Sequence, residues 1–160
     1  MRSEEDIRIA LENHGDTVRR VSFIHLKNYS DVEDVFQDVF LKYMLHDGNF
    51  ENKNHEKAWL IRVTVNQCKD LLKSFFRKKV NSIDDVDISN FAVRDEDRYL
   101  LDAVLKLPDK YKDVIYLYYY EGYTAVEIAK LLNKRENTIY TWLSRGKSAL
   151  KDSLGGEFYE

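Results

Sequence analysis

TAVEIAKLLNKRENTIYTWLSRGKSAL, residues 124–150, decides the fold of this chain. Thr124 and Glu127 sit three apart ahead of an apolar run, the spacing of a capping box, so a short helix starts there. It ends near Asn133, where the chain needs a left-handed residue and Asn tolerates that conformation next best after Gly. A second helix follows from about Glu136 to Leu154 and buries Ile139, Trp142, Leu143, Gly146 and Leu150. Two helices on so short a turn, the second basic and exposed on one side, make a helix-turn-helix candidate. Ala129 is small where the helices approach, and Ile128, Leu132, Ile139 and Trp142 fill the space between them. The outward face then carries Tyr140, Thr141, Ser144, Arg145 and Ser148. An Arg among short hydroxyl side chains suits base edges and phosphates. A helical hairpin with merely solvated charges is the plainer alternative.

Outward from this pair, the same helical rhythm fills most of the chain. Tyr99–Leu105 forms a helix closed by Leu107-Pro108, and Pro108 suits the first turn of the next, which runs through Tyr111–Tyr119 to Gly122. At the other end Ser3 caps a helix that runs to Gly15, and a second carries Val18, Val21, Ile24 and His25. Asp31 is expected to cap a third, with Val32, Val35, Phe36, Val39, Phe40, Tyr43 and Met44 on one face and Glu33, Asp34, Gln37 and Asp38 on the other. A long helix from about Asn54 to Lys79 follows a polar loop at Phe50–Lys53. Residues 81–97 lack helical period and read as a linker.

Composition agrees with an all-α protein of two small domains, a helical bundle and a helix-turn-helix domain on a flexible acidic linker. One Pro and six Gly in 160 residues leave few turn formers for a many-stranded sheet. Cys68 alone makes no internal disulfide, and no apolar run approaches the roughly 18 residues of a membrane span. The start of the chain lacks the features of a signal peptide, so a reducing cytoplasm without membrane insertion is expected. The net charge of −3 hides an alternation. Residues 55–80 and 130–151 each carry a net charge of +5, and residues 81–102 between them carry −5. Two basic blocks suggest two meetings with phosphate. An enzyme is poorly supported, because there is no phosphate-binding glycine loop and His14, His25, His46 and His55 are scattered singly. No metal or other cofactor is expected.

Three stretches, in order, resemble the bacterial alternative sigma factors of the extracytoplasmic-function (group 4) type. They are DVEDVFQDVF at 31–40, the segment from Phe50 to Asn66 with WLIR at 59–62, and the terminal helix-turn-helix introduced by Leu107-Pro108. The resemblance implies region 2 over 1–79, a linker over 80–96 and region 4 over 97–160. It also implies roles. Asp34, Gln37 and Asp38 would dock on the coiled coil of the polymerase β′ subunit, and the second domain would meet the β flap. Phe50–Lys57 would receive a base flipped from the −10 element, with Asn66 lining the pocket, and Trp59 is expected to pack in the core more than to touch a base. Phe75 and Phe76 are expected in the core. Arg62, Lys69, Lys73, Arg77, Lys78 and Lys79 would hold phosphates along that DNA. Arg135, Tyr140, Thr141, Ser144, Arg145 and Lys147 would read the −35 duplex. Tyr140 and Trp142 stand where basic residues are common in the family, Lys134-Arg135-Glu136 replaces an apolar-proline helix start, and Gly146 interrupts the helix, so base preference is left open. Seventeen extended linker residues span at most about 55 Å, enough with the domains' widths for elements roughly 50–70 Å apart. The implied partners are core RNA polymerase, promoter DNA and an anti-sigma factor. The competing expectation is a stand-alone helix-turn-helix regulator, for which no heptad-like dimer seam is visible.

Overall fold

The computed structural model describes residues 1–77 and 98–154, which form seven helices and no strand. These residues divide into two compact units, one holding α1–α3 and the other α4–α7. The expected linker over 80–96, and Lys78 and Lys79 before it, lie outside the described residues.

In the first unit α1 (Glu4–Leu26) packs on both α2 (Tyr29–Leu45) and α3 (Lys53–Arg77), which also pack on each other. Ser3 Oγ accepts from the Asp6 N–H, and Glu4, Glu5 and Asp6 lie at the positive end of the helix dipole. The break expected at Gly15 does not occur. The stripe of Ala10, His14, Thr17, Val18, Val21, Ile24 and His25 stays in phase and buried through Gly15. Packing along two partner helices outweighs the roughly 1 kcal/mol that an interior glycine costs. The cap of α2 is also three residues earlier than expected. Asn28, not Asp31, accepts the capping bond, from the Asp31 N–H. The core is Val18, Val21, Ile24, Val32, Val35, Val39, Leu60, Ile61, Val65 and Cys68, all at most 3% exposed. Arg19 ties α1 to α2 by gripping the Glu33 carboxylate with two nitrogens while its guanidinium lies 3.8 Å over the Phe36 ring.

In the second unit α4 (Arg98–Leu105) leads through Leu107-Pro108 to α5 (Asp109–Ile115), which continues as a π-helical turn over Tyr116–Tyr120. Gly122 leaves that turn at φ +80°, a conformation that favours glycine. Next, α6 (Ala125–Leu132) and α7 (Glu136–Ser153) form the helix-turn-helix. Thr124 and Glu127 make the reciprocal capping box, and Asn133 takes φ 56°, ψ 51° at the turn. The helix α7 packs its Gly146 side against α5. A Cβ on Gly146 would lie 2.9 Å from Ile115 Cγ1 and 3.3 Å from Tyr111 Cβ, so glycine is what lets the two helices meet. Ile139 and Leu150 are fully buried, whereas Trp142 and Leu143 are half-buried at the helix flanks.

Candidate nucleic-acid interface

The helix α3 supplies the first surface. At 100° per residue, Trp59, Arg62, Asn66, Lys69 and Lys73 fall on one face, at steps of three and four. Arg62, Asn66, Lys69 and Lys73 are exposed, opposite the buried Leu60, Ile61, Thr64, Val65 and Cys68. The stripe carries three cations and one amide over four helical turns. Lys57 lies off this stripe at 100° per residue and is half-buried, and its charge lowers the proton affinity of His14. Arg77 is the last residue of α3, and its side chain, like those of Phe75 and Phe76, lies outside the described part.

At the head of this stripe stands an aromatic cluster built on the connection between α2 and α3. Phe50 lies 5.7 Å from Trp59, 6.2 Å from Tyr43, 5.6 Å from His46 and 5.4 Å from His55, ring centre to ring centre. Phe50 and Trp59 are both half-buried, so each keeps an accessible part as well as a packed one. The connection is held from below. Asn52 caps α3 by accepting from the His55 N–H, and His55 Nδ1 accepts from the Glu51 N–H. Tyr43 donates to Glu56 at 2.7 Å, and the other Glu56 oxygen meets His14 Nε2 at 3.0 Å. That chain joins α2, α3 and α1 directly beneath the loop. Burial, then the bond to Glu56, pushes the Tyr43 phenol up to about 12, so it remains a donor. Burial likewise holds His14 below its ordinary value despite the carboxylate beside it. Three of the four histidines, which look scattered along the sequence, therefore come together: His46 and His55 join one cluster, and His14 supports it.

The helix α2 presents a second surface. Asp34, Gln37 and Asp38 are all exposed on its outer side. Asp38 accepts from Gln67 Nε2 at 3.3 Å, and Gln67 Oε1 accepts from Lys42 at 2.7 Å, so this carboxylate is tethered to α3. The same face continues to Leu41 and Leu45, 50% and 59% exposed. Sequence reasoning passed over these two leucines, although the steps 34, 38, 41, 45 continue the stripe it had begun.

The third surface belongs to the second unit. Tyr140, Thr141, Ser144, Arg145 and Ser148 are exposed along α7, Lys147 lies half-buried at its edge, and Arg135 is exposed at the turn. Asn137, one turn ahead of Thr141 on the same face, was missed, though steps of 4, 3 and 4 through residues 137, 141, 144 and 148 mark it. It also lines a groove with Val126, Ala129, Lys130, Asn133, Lys134, Arg135 and Glu136, open at the turn between α6 and α7. Lys110 and Lys134 each stand 6.0 Å over the Trp142 ring, so Trp142 supports cations at the rim. Such a face can enter a major groove, with hydroxyls and amides for base edges and cations for phosphates. Among the described residues no cluster of His, Cys, Asp and Glu could hold a metal ion, and no helix is long and apolar enough to cross a membrane.

Comparison with known proteins assigns these surfaces to named modules. Sigma-70 region 2 matches residues 10–78, and Sigma-70 region 4 matches residues 97–150. The chain is 28% identical to RNA polymerase sigma factor SigV of Bacillus subtilis over 151 residues, covering 92% of this chain and 90% of that protein. It is 26% identical to ECF RNA polymerase sigma factor SigW of the same organism, covering 87% and 83%. Among solved structures, the fold is similar to sigma factor RpoE of Bartonella quintana, crystallised with the anti-sigma factor NepR. The TM-score is 0.78 at 18% identity, over 98% of this chain and all of that one. It is also similar to CnrH in complex with the cytosolic domain of CnrY, with a TM-score of 0.66 at 20% identity, over 98% and 92%.

Proposed function

The chain belongs to the sigma-70 family and is an RNA polymerase sigma factor of the extracytoplasmic-function type, and we propose from that premise how its three surfaces divide the work. Residues 1–79 form the unit that engages core polymerase and the −10 element, 80–96 tether it, and 97–160 engage the −35 element. The exposed Asp34, Gln37 and Asp38 on α2 dock on the β′ coiled coil, and the second unit meets the β flap. The aromatic loop takes an unpaired −10 base on the accessible part of Phe50, with Trp59 packed behind it and Asn66 offering its amide to a base edge. Arg62, Lys69 and Lys73 carry the adjoining phosphates, and α7 reads the −35 duplex through Tyr140, Thr141, Ser144 and Arg145. The protein performs no reaction of its own; polymerase supplies the chemistry. One of the similar structures holds an anti-sigma factor, and a protein of that class is a proposed partner here too.

One observation carries this division: the phosphate-ready stripe of α3 begins at the aromatic loop, so stacking and charge lie on one path. A stand-alone regulator would use its helix-turn-helix but has no use for that path. The test is a titration of labelled full-length protein against purified core RNA polymerase, beside an Asp34→Arg/Gln37→Ala variant. Nanomolar binding that weakens about a hundredfold in the variant, with DNA affinity dependent on polymerase, is the expected result. Tight binding to duplex DNA without polymerase, and no polymerase binding, would overturn it.

A further inference from the structure

The aromatic loop has an anchor outside its own segment. Arg2, just ahead of α1, reaches across to the end of α2. Its backbone N–H donates to the Met44 carbonyl at 3.1 Å, and its Nε donates to the Tyr43 carbonyl at 3.1 Å. Its Nη2 donates to the Gly48 carbonyl at 2.6 Å, inside the α2–α3 connection. The guanidinium also lies 4.5 Å from the centre of the Tyr43 ring and 5.0 Å from that of Phe50. Those two rings are within 5° of parallel.

Each of these contacts answers a specific physical need. The last carbonyls of a helix have no partner within it and form the negative end of its dipole. Arg2 brings both donors and a positive charge to that end of α2. The same guanidinium then bridges the two rings that define the loop's inner wall, one on α2 and one in the connection. Only a planar cation with several fixed donors can bond two carbonyls and face aromatic rings together; a lysine ammonium offers a point charge without that geometry.

We propose that Arg2 is a positioning residue for base capture: it holds the α2–α3 connection so that Phe50 is set against Tyr43 and Trp59 before DNA arrives. This rests on the reading of that loop as the −10 acceptor. A preset loop spares the ordering cost that an untethered one would meet on binding, so the gain belongs to discrimination among bases and not to polymerase affinity.

The experiment uses holoenzyme assembled from the full chain and core polymerase. It is incubated with fork-junction DNA whose single-stranded non-template tail is randomised over six positions, and the captured DNA is sequenced. Base enrichment in the tail is compared for wild type, Arg2→Ala, Arg2→Lys and Phe50→Ala, with core-polymerase affinity and thermal unfolding measured beside each. Arg2→Ala is expected to lose about five- to tenfold of the enrichment with core affinity unchanged within twofold, and Arg2→Lys to recover little of it. Enrichment kept in Arg2→Ala but lost in Phe50→Ala would overturn the role of Arg2 alone. Enrichment kept in both would overturn base capture by the loop, and the role of Arg2 with it. A loss of core affinity equal to the loss of enrichment would reduce Arg2 to general support of the fold.

Discussion

At the scale of single residues, the network His14–Glu56–Tyr43 shows what a sequence hides. Each member looks ordinary along the chain, and residues 14, 43 and 56 share no short-range pattern. Only packing of three helices brings His14 and Tyr43 each within 3.0 Å of Glu56. His14 is 1% exposed, and its Nδ1 finds no hydrogen-bond partner among the described residues, so the buried ring is favoured neutral. Its folded proton affinity therefore lies below that of the unfolded chain, whose ordinary value is 6.5, with burial the main cause and Lys53 and Lys57 adding to it against the pull of Glu56. The sign follows by linkage: the stability is fully present above about pH 6.5 and is lost as pH falls below it, where the unfolded chain binds the proton more readily. Unfolding of the first unit, followed by Trp59 fluorescence in a Trp142→Phe background, is expected at a lower temperature at pH 5.5 than at pH 7.5. His14→Gln, which keeps a donor toward Glu56, should remove much of that difference. An unchanged pH dependence in the variant would assign the effect to other groups.

At the scale of elements, what could be read beforehand was whatever is decided locally. The capping box of Thr124 and Glu127, the left-handed Asn133 and the Ser3 cap each depend on residues within four positions, and each stands where sequence chemistry puts it. The stop expected at Gly15 failed because a glycine's local cost is small beside the burial of the helix on both sides of it. Gly146 poses the same question with the opposite lesson. By helix propensity alone, Gly146→Ala should stabilise α7 by up to about 1 kcal/mol. The structure reverses that expectation, because the new methyl would meet Ile115, a β-branched side chain buried in the second unit's core with little room to turn aside. Overpacking of this kind costs about 1–3 kcal/mol, so a net loss of about 1 kcal/mol is expected. Denaturant unfolding monitored by Trp142 in a Trp59→Phe background would report it. A gain in stability would mean that α5 and α7 can separate without penalty. The α3 stripe was legible as charge but not as direction: its basic residues were countable, yet Lys57 counts among them and lies off the stripe, half-buried.

At the scale of the whole molecule, alternating charge is the feature the sequence displays most openly, and its purpose depends on both units touching one DNA. Arg145 on α7 and Lys73 on α3 are exposed cations, one in each unit. Each phosphate contact releases counterions, so the logarithm of affinity falls with the logarithm of salt concentration by about 0.9 per contact on duplex DNA and about 0.7 on single strands. For holoenzyme on a promoter, Lys73→Ala and Arg145→Ala are each expected to flatten that slope by just under about one unit. Their combination is the informative measurement. If both units grip the same DNA at once, the double variant flattens the slope by the sum, because each substitution removes its own phosphate contact and the counterions that contact releases. If the units bind alternately, removing one contact leaves the other unit carrying the complex, and the second substitution then changes the slope by its full amount in one background and hardly at all in the other. Additive slopes would also bear on the tether, because a local concentration effect raises affinity without adding salt dependence of its own.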